Sequence, residues 1–477
     1  MYDIAVIGGG VIGGAILREL SRYKIKIVLL EKESDVCMGA SKANSGIVHA
    51  GFDAIPGTNK AKFNVAGNKM MKKYAENLGV KYKNNGSLVV AFNEDERETL
   101  KMLLQRGRKN GVKGLKIINV AKLKKIEPRI SDNILCALYA KTGGIVCPYE
   151  LTIAAIGNAM DGGAELKLNF CVSVVEKHEG FYTLVSEKNE KISAKLVINA
   201  AGAGGEKIAR LFGDDSVKVG YRRGEYVLLD RESGGLVSHT LFFTPTEKGK
   251  GILVTQTVDG NILIGPTAEE IEEENNDTSA SGLETVVEKA KTLVNDIPFY
   301  NTITSFAGVR AYTKDRHDFI VEKSVKSNGL INVCGIESPG LTSAPAIAKY
   351  VVNTLIPQEY KTLYNPNYIE KRKPDFYFKS LSYREKNKII KKDANFGKIV
   401  CRCEQVTEGE IRKIIRKNPQ AKTVDAIKRR LRAGMGRCQG GFCQPRVVEI
   451  ISEELNIPIE KVKKSGEGSE LLTSKTK

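Results

Sequence analysis

The chain has 477 residues, 42% of them hydrophobic, with 46 glycines and nine cysteines. That length predicts two to four domains with real cores, and an odd cysteine count spread over so long a chain is unlike a secreted disulfide framework. The formal net charge is +18, and residues 371–477 hold most of it, with 27 Lys and Arg against 13 Asp and Glu. Aromatic residues do not interleave this basic stretch, which argues against a nucleic-acid-binding sheet. No apolar run reaches the roughly 18–20 residues that span a bilayer. The opening "MYDIAVIGGG" lacks the basic leader and cleavage site of a signal peptide. The expectation is a soluble cytoplasmic protein, with contact at the inner face of a membrane left open.

In chain order, "DIAVIG" reads as a buried strand, "GVIGGAILRELSRY" as an amphipathic helix and "IKIVLLE" as a second strand. Gly8-x-Gly10-x-x-Gly13 lies at the strand-to-helix turn, and Glu31 ends the second strand, 18 residues beyond Gly13. The glycines let backbone approach a pyrophosphate at the helix N-terminus, and the acid suits a ribose diol. This context predicts a dinucleotide site, without choosing between FAD and NAD. Apolar strands ending in small residues recur at 193–205 and 329–341, so strands return to one sheet from distant sequence. Alternating segments at 76–145 and 211–305 predict a second, antiparallel domain interleaved with the first. Residues 366–395 read as a basic linker or wrapping arm, 396–465 as a compact module and 466–477 as a flexible tail.

Four cysteines fall in that module: Cys401 and Cys403 as C-x-C, then 34 residues, then Cys438 and Cys443 as C-x4-C. Grouped thiolates hold zinc or iron–sulfur clusters, and structural zinc more often uses C-x2–4-C arms. "VTEGEIRKIIRK" predicts a helix with Thr407 at its N-cap and Glu410 closing a capping box. Cys37, Cys136, Cys147, Cys171 and Cys334 read as small core residues.

"GASKANSGIVHAGF" (39–52), "VINAAGAGG" and "GIESPGLTSAPAIA" resemble the D-amino-acid-oxidase-like flavoprotein superfamily over about residues 1–360. The chain is most similar to FAD-dependent glycerol-3-phosphate dehydrogenases of the anaerobic A-subunit type. L-2-hydroxyglutarate oxidases share the SG-x-x-HAG element. The flanks of the cysteines resemble the bacterioferritin-associated-ferredoxin-like [2Fe–2S] module. The resemblance implies an α/β (α+β) fold. Residues 1–365 would form a Rossmann-like FAD-binding domain (segments 1–75, 146–210 and 306–360) with an interleaved antiparallel substrate domain (76–145 and 211–305). A small, mostly helical [2Fe–2S] domain would follow.

The cofactors implied are FAD and a [2Fe–2S] cluster on Cys401, Cys403, Cys438 and Cys443. The FAD residues implied are Gly8, Gly10, Val11, Ile12 and Gly13 at the phosphate turn, and Glu31 and Lys32 at the ribose. Ser41, Ala43, Asn44, Ser45, Gly46 and His49 would lie near the flavin, and Val174 at the adenine. Ala201, Gly202, Gly335, Gly340, Leu341 and Thr342 complete the set.

Histidine suits the base that oxidation of a secondary alcohol needs, and His49 lies within the matched element. Arg310 is the expected anchor for a phosphate or carboxylate. Ser338, Lys248 and Lys250 are weaker candidates for the same anion, and His239 and His317 are supporting groups. The implied activity is oxidation of sn-glycerol 3-phosphate, with electrons leaving through the cluster to a further redox subunit such as a second flavoprotein. Two alternatives remain at this stage: an L-2-hydroxyacid or amine dehydrogenase, and an electron-transfer subunit without a substrate of its own.

Overall fold

The computed structural model describes residues 1–245, 251–373 and 377–474. Strand β1 (Tyr2–Ile7), helix α1 (Val11–Leu20) and strand β2 (Ile27–Leu30) form the opening unit. Every residue of β2 is buried, as expected for a parallel strand covered on both faces. β1 pairs in parallel with β2 on one edge and with Lys191–Asn199 on the other. Leu330–Cys334 adds to Lys191–Asn199 in parallel, and Glu165–Lys167 adds to β2. Strands far apart in sequence therefore lie side by side, Tyr2 opposite Ala194 and Val197 opposite Leu330. α1 packs against Pro148–Asp161 and Gly340–Tyr350 on one face of the sheet.

A second, largely antiparallel sheet has nine strands among the described residues. Its longest ladder joins Val219–Leu229 to Thr302–Thr313. This strand runs past the segment boundary expected near 306 and stays in the antiparallel sheet to Thr313, because its full length is matched by Val219–Leu229. Helix α2 (Asn59–Leu78), capped by the Thr58 hydroxyl and ended at left-handed Gly79, packs against Gly340–Tyr350 and bridges the two sheets.

The C-terminal module has its own apolar core, with Ile411, Ile415, Ile427, Ile450 and Ile451 each at most 1% exposed. Glu408–Arg416 begins with the expected capping box: the Glu410 N–H donates to Thr407 Oγ1, and the Glu410 carboxylate accepts from the Thr407 N–H. The basic linker contains a helix, Tyr383–Lys392, started by a second capping box between Ser382 and Glu385. The tail expected to be flexible folds back at its start: the Lys464 N–H donates to Ser469 O, and Leu471 packs on the module's core.

Candidate active site and iron–sulfur centre

A cavity of about 1000 Å³ opens between the sheets. One end is the turn after β1. Gly8 has φ +108°, and a Cβ there would meet the Ala200 carbonyl; a Cβ on Gly13 would run into the Gly8 carbonyl. Side chains at either position would prise the turn from its neighbours, which is why glycine is required. Ser41 Oγ accepts from the Val11 N–H at 2.9 Å at the α1 N-terminus. Glu31 accepts from the N–H groups of Gly9 (2.6 Å) and Glu33 (3.0 Å). Burial pushes its carboxyl above the ordinary range, against the pull of those two N–H groups.

Gly8, Gly10, Val11, Ile12, Glu31, Lys32, Ser41, Ala43, Asn44, Ser45, His49, Ala201, Gly202, Arg310, Ser338, Gly340 and Leu341 all line the cavity. Gly13, Gly46, Gly335 and Thr342 stand behind its wall. Gly46 and Gly335 hold left-handed turns. The Thr342 hydroxyl accepts from the His49 N–H at 2.9 Å. Val174 lies on the strand Val172–His178, half exposed and outside the lining. Lys248 and Lys250 lie outside the described residues.

His49 sits just past the short strand Ile47–Val48. Its carbonyl accepts from Asn64 Nδ2 (3.0 Å) and Asn68 Nδ2 (3.1 Å) on α2, so its backbone is tied on both sides. Its Nε2 is 3.3 Å from Ser338 Oγ. Arg310 projects from Thr302–Thr313. Its Nη2 donates to the Thr267 carbonyl at 3.0 Å. Its Nε is buried without a hydrogen-bond partner, and it forms no ion pair among the described residues. A buried unsatisfied donor carries a desolvation penalty of about 1–3 kcal/mol, which an anion beside it would relieve.

Sequence reasoning missed the cation pair around Glu337, where Lys60 Nζ stands 2.6 Å away and Arg222 Nη1 3.7 Å away. All three line the cavity. They come from α2, the antiparallel sheet and the turn before Gly340–Tyr350, so no local spacing announces them. Of the supporting histidines, His317 lines the cavity. His239 does not: its Nδ1 is 2.6 Å from buried Glu127. Buried Glu225 accepts from the Ser279 N–H at 2.6 Å and so holds the start of Ala280–Leu293, a structural position.

The four module cysteines form two pairs. Cys403 and Cys438 have their sulfurs 3.7 Å apart. Two thiolates about 2.3 Å from one tetrahedral metal stand about 3.8 Å apart, so this pair fits one metal. Cys401 is held down to about 6, chiefly by the hydrogen bond from Cys443, whose own thiol is held high by the same contact and by burial. Burial opposes ionisation of Cys438, but the Phe442 and Gly440 N–H groups hold its thiol below the ordinary value. Among the described residues, no group of three or more His, Cys, Asp or Glu converges on one ion. Two pairs instead of one tetrahedron suit a two-iron cluster better than a single zinc.

The FAD dependent oxidoreductase family matches residues 3–354, and the BFD-like [2Fe-2S] binding domain matches residues 399–453. A glycerol 3-phosphate dehydrogenase from Caloramator mitchellensis is 48% identical over 478 residues, covering 100% of this chain and 99% of that protein. A glycerol 3-phosphate oxidase from Mycoplasma genitalium is 33% identical over 375 residues, covering 77% of this chain and 98% of the oxidase. The FAD-bound L-alpha-glycerophosphate oxidase of Mycoplasma pneumoniae superposes with a TM-score of 0.73 at 29% identity, over 79% of this chain and 99% of that one. The chain belongs to the FAD dependent oxidoreductase family, and it carries a [2Fe–2S] module at its C-terminal end.

Proposed function

We propose that this flavoenzyme oxidises sn-glycerol 3-phosphate to dihydroxyacetone phosphate and passes the electrons out through its [2Fe–2S] cluster. The observation that carries this reading is the pairing, in one cavity, of the His49 imidazole with the Arg310 guanidinium, whose buried Nε lacks a partner. Full-length similarity to a glycerol 3-phosphate dehydrogenase supports the substrate.

The phosphate turn at Gly8–Gly10, Glu31 and the segments 41–46 and 338–342 would hold FAD. When bound, it supplies the hydride acceptor. His49 Nε2 takes the hydroxyl proton as the substrate carbon is oxidised, and the Ser338 hydroxyl steadies the ring. The tethers from Thr342, Asn64 and Asn68 fix the approach of that base. Arg310 holds the phosphate through N–H groups that no protein acceptor uses; Lys60 and Arg222 stand nearby, with their charge offset by Glu337 and, for Arg222, by Glu270 at 2.9 Å. Cys401, Cys403, Cys438 and Cys443 would hold the [2Fe–2S] cluster, which would supply a one-electron exit for the two electrons that a flavin accepts. Arg437 and Lys428, whose charges reach Cys403 and Cys443, would favour the cluster's reduced form. In this reading the acceptor is a further redox protein and the reaction is cytoplasmic. Among the described residues, no helix is long and apolar enough to cross a membrane.

Product analysis by 31P NMR tests the substrate. Purified enzyme with an artificial electron acceptor should convert sn-glycerol 3-phosphate to dihydroxyacetone phosphate and leave the sn-1 enantiomer untouched. Oxidation of L-2-hydroxyglutarate alone would overturn the substrate while keeping the chemistry.

A further inference from the structure

Asp35 is 1% exposed, and its partners come from the opposite end of the chain. Arg430 grips both carboxylate oxygens at 2.8 Å, and Arg429 Nη2 adds a third bond at 2.7 Å. Both arginines are 6% exposed and end the helix Val424–Leu431 of the [2Fe–2S] module, which packs on Pro148–Asp161. Beside them the Ser34 hydroxyl donates to the Ser465 carbonyl at 2.9 Å.

Asp35 belongs to the loop that leaves β2. On one side, Glu33 donates its N–H to Glu31, the ribose acid. On the other, Cys37 holds a left-handed φ of +62° and donates its N–H to the Gly9 carbonyl in the phosphate turn. The loop continues into Met38, Ser41 and Lys42, which line the cavity. A left-handed non-glycine residue persists only where its surroundings hold it. Asp35 itself does not line the cavity, so it reaches the cofactor site only through this loop.

We propose that the [2Fe–2S] module is a built-in part of the FAD site. Through Arg429 and Arg430 it clamps Asp35 and fixes the loop that walls the dinucleotide cavity, so that docking of the module and retention of FAD are one linked equilibrium. Asp35 is thus a positioning residue. Linkage makes the effect reciprocal: FAD holds the module in place by the same factor by which the docked module tightens FAD. Breaking a buried pair by removing one partner leaves uncompensated charge behind, so the docked state is the one that loses.

The test titrates FAD into deflavinated, cluster-loaded full-length protein and follows flavin fluorescence, with tryptic cleavage in 366–395 measured with and without FAD. Asp35→Asn is expected to raise the FAD dissociation constant about 5- to 100-fold, with the visible absorbance of the cluster unchanged. Arg429→Met, which leaves the Arg430 grip intact, should shift it less in the same direction and carries the test if Asp35→Asn does not fold. The double variant Asp35→Asn/Arg430→Met should bind FAD no more than about twofold weaker than the worse single variant, because the two act as a pair. FAD should slow cleavage in the native chain and much less so in Asp35→Asn. Dissociation constants within twofold of the native value, or cleavage in the native chain indifferent to FAD, would overturn the proposal. None of these readouts depends on which substrate the enzyme oxidises.

Discussion

Replacing Arg310 with methionine removes the expected phosphate anchor while keeping most of its volume. In the structure Arg310 gives one N–H to Thr267 and keeps Nε without a partner, so at least two charge-assisted bonds are available to a phosphate. Such bonds contribute about 1.5–3 kcal/mol each. Lys60 and Arg222 stay behind and recover part of the attraction, so the lower bound of about 3 kcal/mol is the fair figure, or roughly a hundredfold in kcat/KM at 1.4 kcal/mol per decade. Arg310→Lys keeps the charge but loses the planar fork and should fall between the two. The assay is steady-state oxidation of sn-glycerol 3-phosphate beside glycerol, which has the same secondary alcohol and no phosphate. The expected result is a hundredfold loss for the phosphate ester, an unchanged rate for glycerol and an unchanged flavin spectrum. A loss below threefold, or an equal loss on both substrates, would refute the role of Arg310.

His49→Asn should lower the rate of flavin reduction by about 10²–10⁴-fold with FAD still bound, read by anaerobic stopped flow; a near-native rate would remove His49 as the base. Gly308→Ala would push a methyl group into the Ala43 carbonyl in the flavin-side turn. It should cost about 1–3 kcal/mol, read as a lower melting temperature and weaker FAD retention. Cys401→Ser should abolish the cluster's electron paramagnetic resonance signal while leaving flavin reduction by substrate intact; loss of both would contradict separate roles for the two centres. In the module, Arg412 binds Glu408 at 2.6 Å and Glu454 at 2.8 Å, and also pairs with Glu453. Arg416 with Arg412 at Glu454, Arg412 at Glu453, and Arg412 with Arg446 at Glu408 hold all three carboxyls below their ordinary range, against burial that opposes ionisation. Their contribution is therefore full above the ordinary carboxylate range and is lost as pH falls through the lowered values. Far-UV melting of the native chain should show stability falling in acid, and Arg412→Met should flatten that slope; an unchanged slope would exclude the network.

The parts of this protein written in local sequence were the readable ones. Gly8-x-Gly10-x-x-Gly13 with Glu31 is a run of neighbours whose geometry follows from chain stereochemistry, and C-x-C with C-x4-C announces a thiolate site because metal chemistry restricts spacing. The capping box at Thr407 and Glu410 was legible for the same reason. The one at Ser382 and Glu385 carried the same signal within the segment read as a linker, where charge density hid it. Lys60, Arg222 and Glu337 could not be read, because tertiary packing alone brings them together. The Asp35 clamp is the extreme case, joining residues 394 and 395 positions apart. Thr302–Thr313 runs across the segment boundary expected near 306, because ladder length is decided by the partner strand, which sequence does not display.

The most direct test of the central claim is an anaerobic titration of the fully loaded protein with sn-glycerol 3-phosphate, following flavin and cluster absorbance together. Each substrate molecule delivers two electrons, while FAD and one [2Fe–2S] cluster accept about three between them. The account predicts that both chromophores bleach and that the endpoint falls at about 1.5 equivalents of substrate. An endpoint at about 1 equivalent, with the flavin reduced and the cluster still oxidised, would contradict the passage of electrons through the cluster. An unchanged flavin would contradict the substrate.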